Sequence, residues 1–224
     1  MNIASLYAPV HIEESTVVGE HCVFGYPKEA RLRAQQKGSG STSSGEPVVV
    51  GAHCVIGNQV VVHEGVWIGA NCVIEDRVRI GYNCVVGERT RVAYGAYVCD
   101  RVAIGVDACV AGFVCDGTTI GDRSTMMGDL VHEYARPHEG WWEVDEEPPM
   151  IEADSVVGYG ARVVGGVRIG PRSYVAAGAV VTRDVAPDHV VTGINVHVPA
   201  ERWRGRRLQG LIRHWQALAK TDRL

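Results

Sequence analysis

Two phenylalanines in 224 residues, Phe24 and Phe113, are too few for a core built around large rings. No apolar run approaches the roughly eighteen residues of a membrane-spanning helix, so a membrane span is not expected. The start, Met1-Asn2-Ile3-Ala4-Ser5, lacks a basic segment leading into an apolar one, so a secretory signal is not expected either. There is no C-x-x-C, and the seven cysteines are an odd number. A disulfide framework is therefore the poorer reading, and a reducing cytoplasm the simpler one. Nor is there an excess of positive charge. With 22 basic and 26 acidic residues the net charge is −4, against nucleic-acid or membrane-surface binding as the main role.

What the chain does have is glycine, 27 of them, and a repeat. Stepping by sixes from Val50 meets Ile56, Val62, Ile68, Ile74, Ile80, Val86, Val92, Val98, Ile104 and Val110. Gly follows at Gly51, Gly57, Gly69, Gly81, Gly87 and Gly105. Four residues after the aliphatic positions stand small or β-branched residues: Cys54, Val60, Val66, Cys72, Val78, Cys84, Thr90, Ala96, Val102 and Ala108. The lattice returns in a new phase at Ile151, Val157, Val163, Ile169, Val175 and Val181, with shorter pieces at Ile12, Val18, Phe24 and at Val114, Ile120, Met126. A period of six matches neither a helix nor an amphipathic hairpin. It matches a coil of three short strands, each hexad giving one flat side and one corner of a triangular prism. The branched side chain points inward, the small residue fills the space beside it, and Gly is expected to ease the turn. Stacked coils then pair as parallel strands, about seven to eight coils in all.

The I-G-x-x-x-V lattice resembles the hexapeptide-repeat family, whose fold is a left-handed parallel β-helix. That resemblance covers about three quarters of the chain and implies a β-helix domain over 1–199, with excursions at about 26–48 and 128–150. Members of the family are mostly trimeric acyltransferases, so it also implies a homotrimer with active sites between neighbouring prisms. Over 200–224 the period changes: Leu208, Leu211, Ile212, Trp215 and Leu218 follow helical spacing among Arg204, Arg206, Arg207 and Arg213. This predicts an amphipathic helix that caps the open end of the prism, which would otherwise be a sheet edge; a membrane-surface role for its arginines is the alternative.

Most cysteines are explained by the lattice. Cys22, Cys54, Cys72 and Cys84 occupy the small inward slot and read as packed thiols. Cys99, Cys109 and Cys115 fall outside it, and none has a His beside it in sequence to make a catalytic pair. His53 and His63 fall on outward or corner positions. A γ-carbonic-anhydrase-like zinc site needs paired histidines on neighbouring coils. Ile68 to Val110 contains no His, so no metal is expected.

A regular prism has few concavities, so chemistry is expected where the lattice breaks. The first break, from about Tyr26 to Pro47, carries Arg31, Arg33 and a Gly/Ser stretch. It reads as a plain surface loop or as a flap that brings Arg31 or Arg33 to an anionic substrate group. The second holds Asp129, His132, Glu133, Tyr134, His138, Trp141 and Trp142, a high density of chemically capable side chains. In the sugar N-acetyltransferases and galactoside O-acetyltransferases of the family, a loop at this place carries the catalytic histidine. Those proteins continue into a G-A-G-S/A-V-V-T-K/R-D-V-P segment, matched here by Val175-Ala176-Ala177-Gly178-Ala179-Val180-Val181-Thr182-Arg183-Asp184-Val185-Ala186-Pro187. The match departs at Ala176, where the family has Gly, and in the ending, stretched over 193–200. The galactoside enzymes' His aligns nearer Asp129 than His132.

By this resemblance the chain is an acetyl-CoA-dependent acyltransferase acting on an amino sugar or similar small polar amine. Ala176, Ala177 and Gly178 would face the pantetheine arm, with Thr182 and Arg183 near the adenosine phosphates. His132 would be the base, partnered by Asp129 or Glu133, with His138 the other candidate. Trp141 and Trp142 would wall the acceptor pocket with Tyr134 and Arg31, or else plug the loop onto the prism. A non-enzymatic scaffold, or another reaction in the same cleft, stays open beside this reading.

Overall fold

The computed structural model describes residues 7–37, 45–133, 146–204 and 209–221. Its strands, mostly two residues long, form three sheets of eight, ten and eight strands. All pairings are parallel except the last, between His189–Thr192 and Val196–Pro199. The chain visits the three sheets in strict rotation, so each sheet is one face of a triangular prism and each coil contributes one strand to each face. Eight full coils and a partial ninth make up the left-handed parallel β-helix.

The two-residue strand explains the inward ladder. Successive side chains point to opposite sides, so in Trp67–Ile68, Arg79–Ile80 and Tyr97–Val98 the second residue is buried and the first looks outward. Ile56, Ile68, Ile74, Ile80, Ile120, Ile151 and Ile169 stack up the axis, fully buried. Each contributes roughly 1.5–3 kcal/mol of apolar burial.

The small slot does more than fill space. The Cys54 thiol donates to the Gly69 carbonyl at 3.1 Å and the Cys72 thiol to Gly87 at 3.1 Å. In the same slot the hydroxyls of Thr90 and Ser155 donate to Gly105 at 2.8 Å and to Gly170 at 3.0 Å. These corner carbonyls gain a partner one coil away. Burial pushes the Cys72 thiol up to about 11 and that of Cys84 to about 12, so both are protonated and unreactive at neutral pH. Cys99 and Cys115, outside the slot, are likewise raised by burial, to about 12 and about 11.

The lattice glycines are needed for a reason other than the expected one. The left-handed corner positions are held by non-glycine residues such as Asn71, Arg89, Asp107 and Arg123, all near φ +55° to +60°. The hexad glycines do not adopt positive φ; they are where successive coils touch. A Cβ on Gly87 would lie 2.5 Å from the carbonyl of Gly105, and one on Gly105 would lie 2.6 Å from the Asp122 amide.

The change of phase after Val110 is not a break in the prism. Between Val110 and Val114, and again between Met126 and Leu130, the corner joining the second face to the third shortens by two residues. Coils there repeat every 16 residues rather than 18. Gly112 and Gly128 occupy these tight corners, where any Cβ would strike the next coil's backbone.

Both excursions leave the same corner, the one joining the third face to the first. The earlier follows Val23–Tyr26 and rejoins at Val48–Val50; the later follows Asp129–Val131 and rejoins at Met150–Ile151. The second is therefore shorter than the sequence suggested: Asp129 belongs to a strand paired on both sides, with Phe113 and with Arg162. The first contains a helix, α1 (Glu29–Gln36).

The C-terminal helix, α2 (Gln209–Thr221), does not cap the prism. Ile212 and Trp215 pack with Val190, Ala200 and Tyr174. Tyr174 is an outward position, since its neighbour Val175 is in the core, so α2 lies against the outside of the second face. It is the antiparallel strand Val196–Pro199 that extends the second sheet at the prism's end. Its edge would otherwise pair with other chains. No helix among the described residues is long and apolar enough to cross a membrane.

Candidate functional site

The third face and its two flanking corners hold the described candidate residues. Asp129 projects outward from the third face, its carboxylate 3.7 Å from the Arg162 guanidinium. His132 turns the corner after that strand, half-buried, and exposed Glu133 packs over Gly165 of the following coil. The strand pairing sets Phe113 beside Asp129 and Val114 beside Leu130. The pairing ends there, and Asp116 lies on the same corner one coil before His132. Asp116 accepts a hydrogen bond from the Asp100 amide at 2.8 Å, which turns its carboxylate toward the preceding coil. Asp100 in turn accepts from the Tyr82 amide at 3.1 Å. Burial, then the charge of Asp116, raises the Asp100 carboxyl above its ordinary value.

At the N-terminal end of this corner Glu64, only 2% exposed, pairs with Arg31 of α1 and accepts the Lys28 amide at 3.3 Å. A charge so buried needs such partners. The excursion's return also sits here, since a Cβ on Gly45 would collide with Glu64 and Arg31. The structure thus places the Arg31 guanidinium on a carboxylate of its own chain, as the anchor of the first excursion. Glu64 was not singled out in the sequence.

His63 beside it is 8% exposed, with the Tyr26 ring edge-on at 5.2 Å. Burial, then the Arg79 guanidinium, holds its imidazole down at about 4. Between about pH 6.5 and 4 the unfolded chain therefore binds a proton that the folded chain refuses, and stability falls as pH drops through that window. The full amplitude is on the order of 3 kcal/mol. Urea unfolding of the wild type and His63→Gln should show a shallower loss in the variant over that range. Equal losses would remove His63 as the cause.

The residues assigned to the cofactor divide between two corners. Ala176, Ala177 and Gly178 occupy the corner joining the second and third faces, where a Cβ on Gly178 (φ +71°) would meet nothing within 4 Å. Thr182 and Arg183 lie across the third face, on the same corner as His132 and two coils beyond it. Five residues of extended chain, roughly 16 Å, separate the two groups. Asn195 ties down the far group: its carboxamide oxygen accepts the Thr182 amide at 2.9 Å and its carbonyl accepts from Arg183 at 2.7 Å. Nearby, burial and the charges of Arg183 and His189 lower the imidazole of His197. Tyr134, His138, Trp141 and Trp142 lie outside the described residues. Among the described residues no three His, Cys, Asp or Glu side chains are grouped so as to hold a metal ion.

Two family models match the chain: the bacterial transferase hexapeptide (six repeats) over residues 60–94, and the hexapeptide repeat of succinyl-transferase over residues 148–183. No curated protein sequence matches. Among solved structures, UDP-N-acetylglucosamine O-acyltransferase from Moraxella catarrhalis is 14% identical, covering 95% of this chain and 83% of its own, with a TM-score of 0.39. A polysialic acid O-acetyltransferase is 13% identical, covering 83% and 81%, with a TM-score of 0.43. The acetyltransferase domain of PglB from Neisseria gonorrhoeae, in complex with acetyl coenzyme A, is 18% identical, covering 75% and 65%, with a TM-score of 0.36. The two matched stretches lie within one continuous run of coils, built from the six-residue repeat that makes the prism.

Proposed function

We propose that the protein transfers an acetyl group from acetyl-CoA to the amine of an amino sugar or a similar small polar amine. The observation that carries this reading is the segment over 175–187. It resembles the family's signature from Ala177 to Val185, with Ala176 in place of the first Gly, and it lies in the last full coil, with its Ala176–Gly178 corner open. His132 takes the proton from the acceptor nitrogen as that nitrogen attacks the thioester carbonyl. The C–S bond then breaks and the departing thiolate takes up a proton, leaving an amide and free CoA. Glu133, the next residue in the chain, supplies the carboxylate that stabilises the charged imidazole.

The division of candidate residues between two corners supports assembly as a homotrimer. A neighbouring prism can set its own His132 corner against the open Ala176–Gly178 corner, a meeting that one protomer's geometry makes difficult across about 16 Å. The seven thiols, all free, fit a reducing compartment, and we place the protein in the cytoplasm on that ground.

Acetyl-CoA at about 100 times its Kd adds about 2.7 kcal/mol to stability. For a chain of this length that raises Tm by about 5–10 °C. The same sample should release free CoA when glucosamine is added. No shift at millimolar acetyl-CoA would favour a non-enzymatic scaffold.

A further inference from the structure

Between α2 and the end of the prism lies a cavity of about 700 Å³ that the proposed reaction does not use. Its apolar walls are Pro187, Pro199, Ala200, Ile212 and Trp215. Ala200, Ile212 and Trp215 are buried, so this part of the wall is already packed in place. His189, which also borders the cavity, stands opposite Pro199 in the antiparallel pair that closes the second sheet. Its ring is held, since a carbonyl can only accept and Nδ1–H therefore donates to the Pro187 oxygen at 2.9 Å. Strand, corner and helix thus each supply a wall. Asp188 turns the corner between the first and second faces, whereas His132 turns the one between the third and the first. The cavity is separate from the candidate active site.

Three side chains that carry a charge at neutral pH border this space: Asp188, Glu201 and Lys220. Asp188 accepts both prongs of the Arg172 guanidinium, at 2.8 and 3.1 Å. Glu201 has Arg202 at 4.0 Å. Lys220 has no carboxylate within ion-pair distance among the described residues. Each acid is matched by an arginine, and the ammonium is the charge left over. An uncompensated ammonium at the edge of apolar walls suits an anion with an apolar body. An indole and two proline rings are flat walls, which favour flat rings over a flexible chain. The volume lies within the range of about 300–1,000 Å³ that takes drug-sized ligands, enough for two or three rings. A single ammonium balances one negative charge, and the second charge of a phosphate monoester would meet the two acids instead. We propose that this cavity binds an aromatic carboxylate, with its rings toward Trp215 and its carboxylate at Lys220. The site does not depend on the acyltransferase reading.

The test is calorimetric titration of the full chain with 2-naphthoate and with its uncharged match, 2-naphthamide. The wild type should bind both, the carboxylate about three- to tenfold more tightly, the scale of one charge-assisted contact open to water. Lys220→Gln should remove that preference and leave the affinity for the amide as it was. Gln216 also lines the cavity, from α2, and Gln216→Trp should weaken both probes by about tenfold or more by taking their space. Both positions are exposed, and an unchanged melting temperature separates lost binding from lost structure. A wild type that binds neither probe, or binds them equally, overturns the site. So does binding that survives Gln216→Trp, or a preference that survives Lys220→Gln. None of these results touches the acyltransferase reading, because neither residue belongs to the His132 corner.

Discussion

Replacing His132 by Ala is expected to lower kcat for acetyl transfer by about 10²–10⁴-fold, the usual cost of removing a positioned general base. Stability should barely change, because His132 lies beyond the end of Asp129–Val131 and outside the packed ladder. The variant should also flatten the acidic limb of the kcat profile, since no imidazole is left to deprotonate. Its partner can be identified in the same experiment. Glu133→Gln should lower kcat and shift that limb to lower pH, because the imidazolium loses the negative charge beside it. Asp129→Asn should leave the limb in place, since the Asp129 carboxylate is engaged with Arg162 on the face. Near-wild-type turnover in His132→Ala would take the role of base away from this corner.

A second large effect is expected in the prism itself. Gly87→Ala would put a methyl group 2.5 Å from the carbonyl carbon and oxygen of Gly105 and 2.7 Å from the Val106 amide. All three atoms are backbone, held by the ladder above, so the coil spacing must open. Overpacking of this kind costs about 2–3 kcal/mol, or about 5–10 °C in Tm at this chain length. Gly95→Ala is the control. Its φ is +66° and nothing lies within 4 Å of the new carbon, so only the left-handed penalty of about 1–2 kcal/mol applies. Thermal unfolding of the two variants ranks the causes. A larger loss in Gly95→Ala would mean that backbone conformation, and not contact between coils, selects the lattice glycines.

Those glycines show where reading the chain was right about position and wrong about cause. A Gly after each aliphatic residue is visible in the sequence. That Asn71 and Arg89 hold the left-handed corners instead is not, because both explanations predict a glycine near a turn. The small slot behaved similarly: Cys54 and Ser155 were legible as small inward residues, but their hydrogen bonds to carbonyls 15 residues away were not. The C-terminal helix was legible from its spacing. Its seat against Tyr174 and Val190 was not, since an apolar stripe says that something is covered and not which surface it covers. Of the candidate site, His132 and the 175–187 segment stood out as local strings. Glu64 did not, for its partners Arg31 and Lys28 lie more than thirty residues away in the first excursion.

The sequence by itself determined the prism, its approximate number of coils and the two places where the chain leaves it. Alternation of inward and outward side chains, repeated every six residues, is a local property that each hexad carries alone. Only the tertiary structure decided that both excursions leave one corner and that Arg31 is held by Glu64. Those relations depend on the axial register between coils 16 or 18 residues apart, and two shortened corners at Gly112 and Gly128 reset that register without disturbing the core.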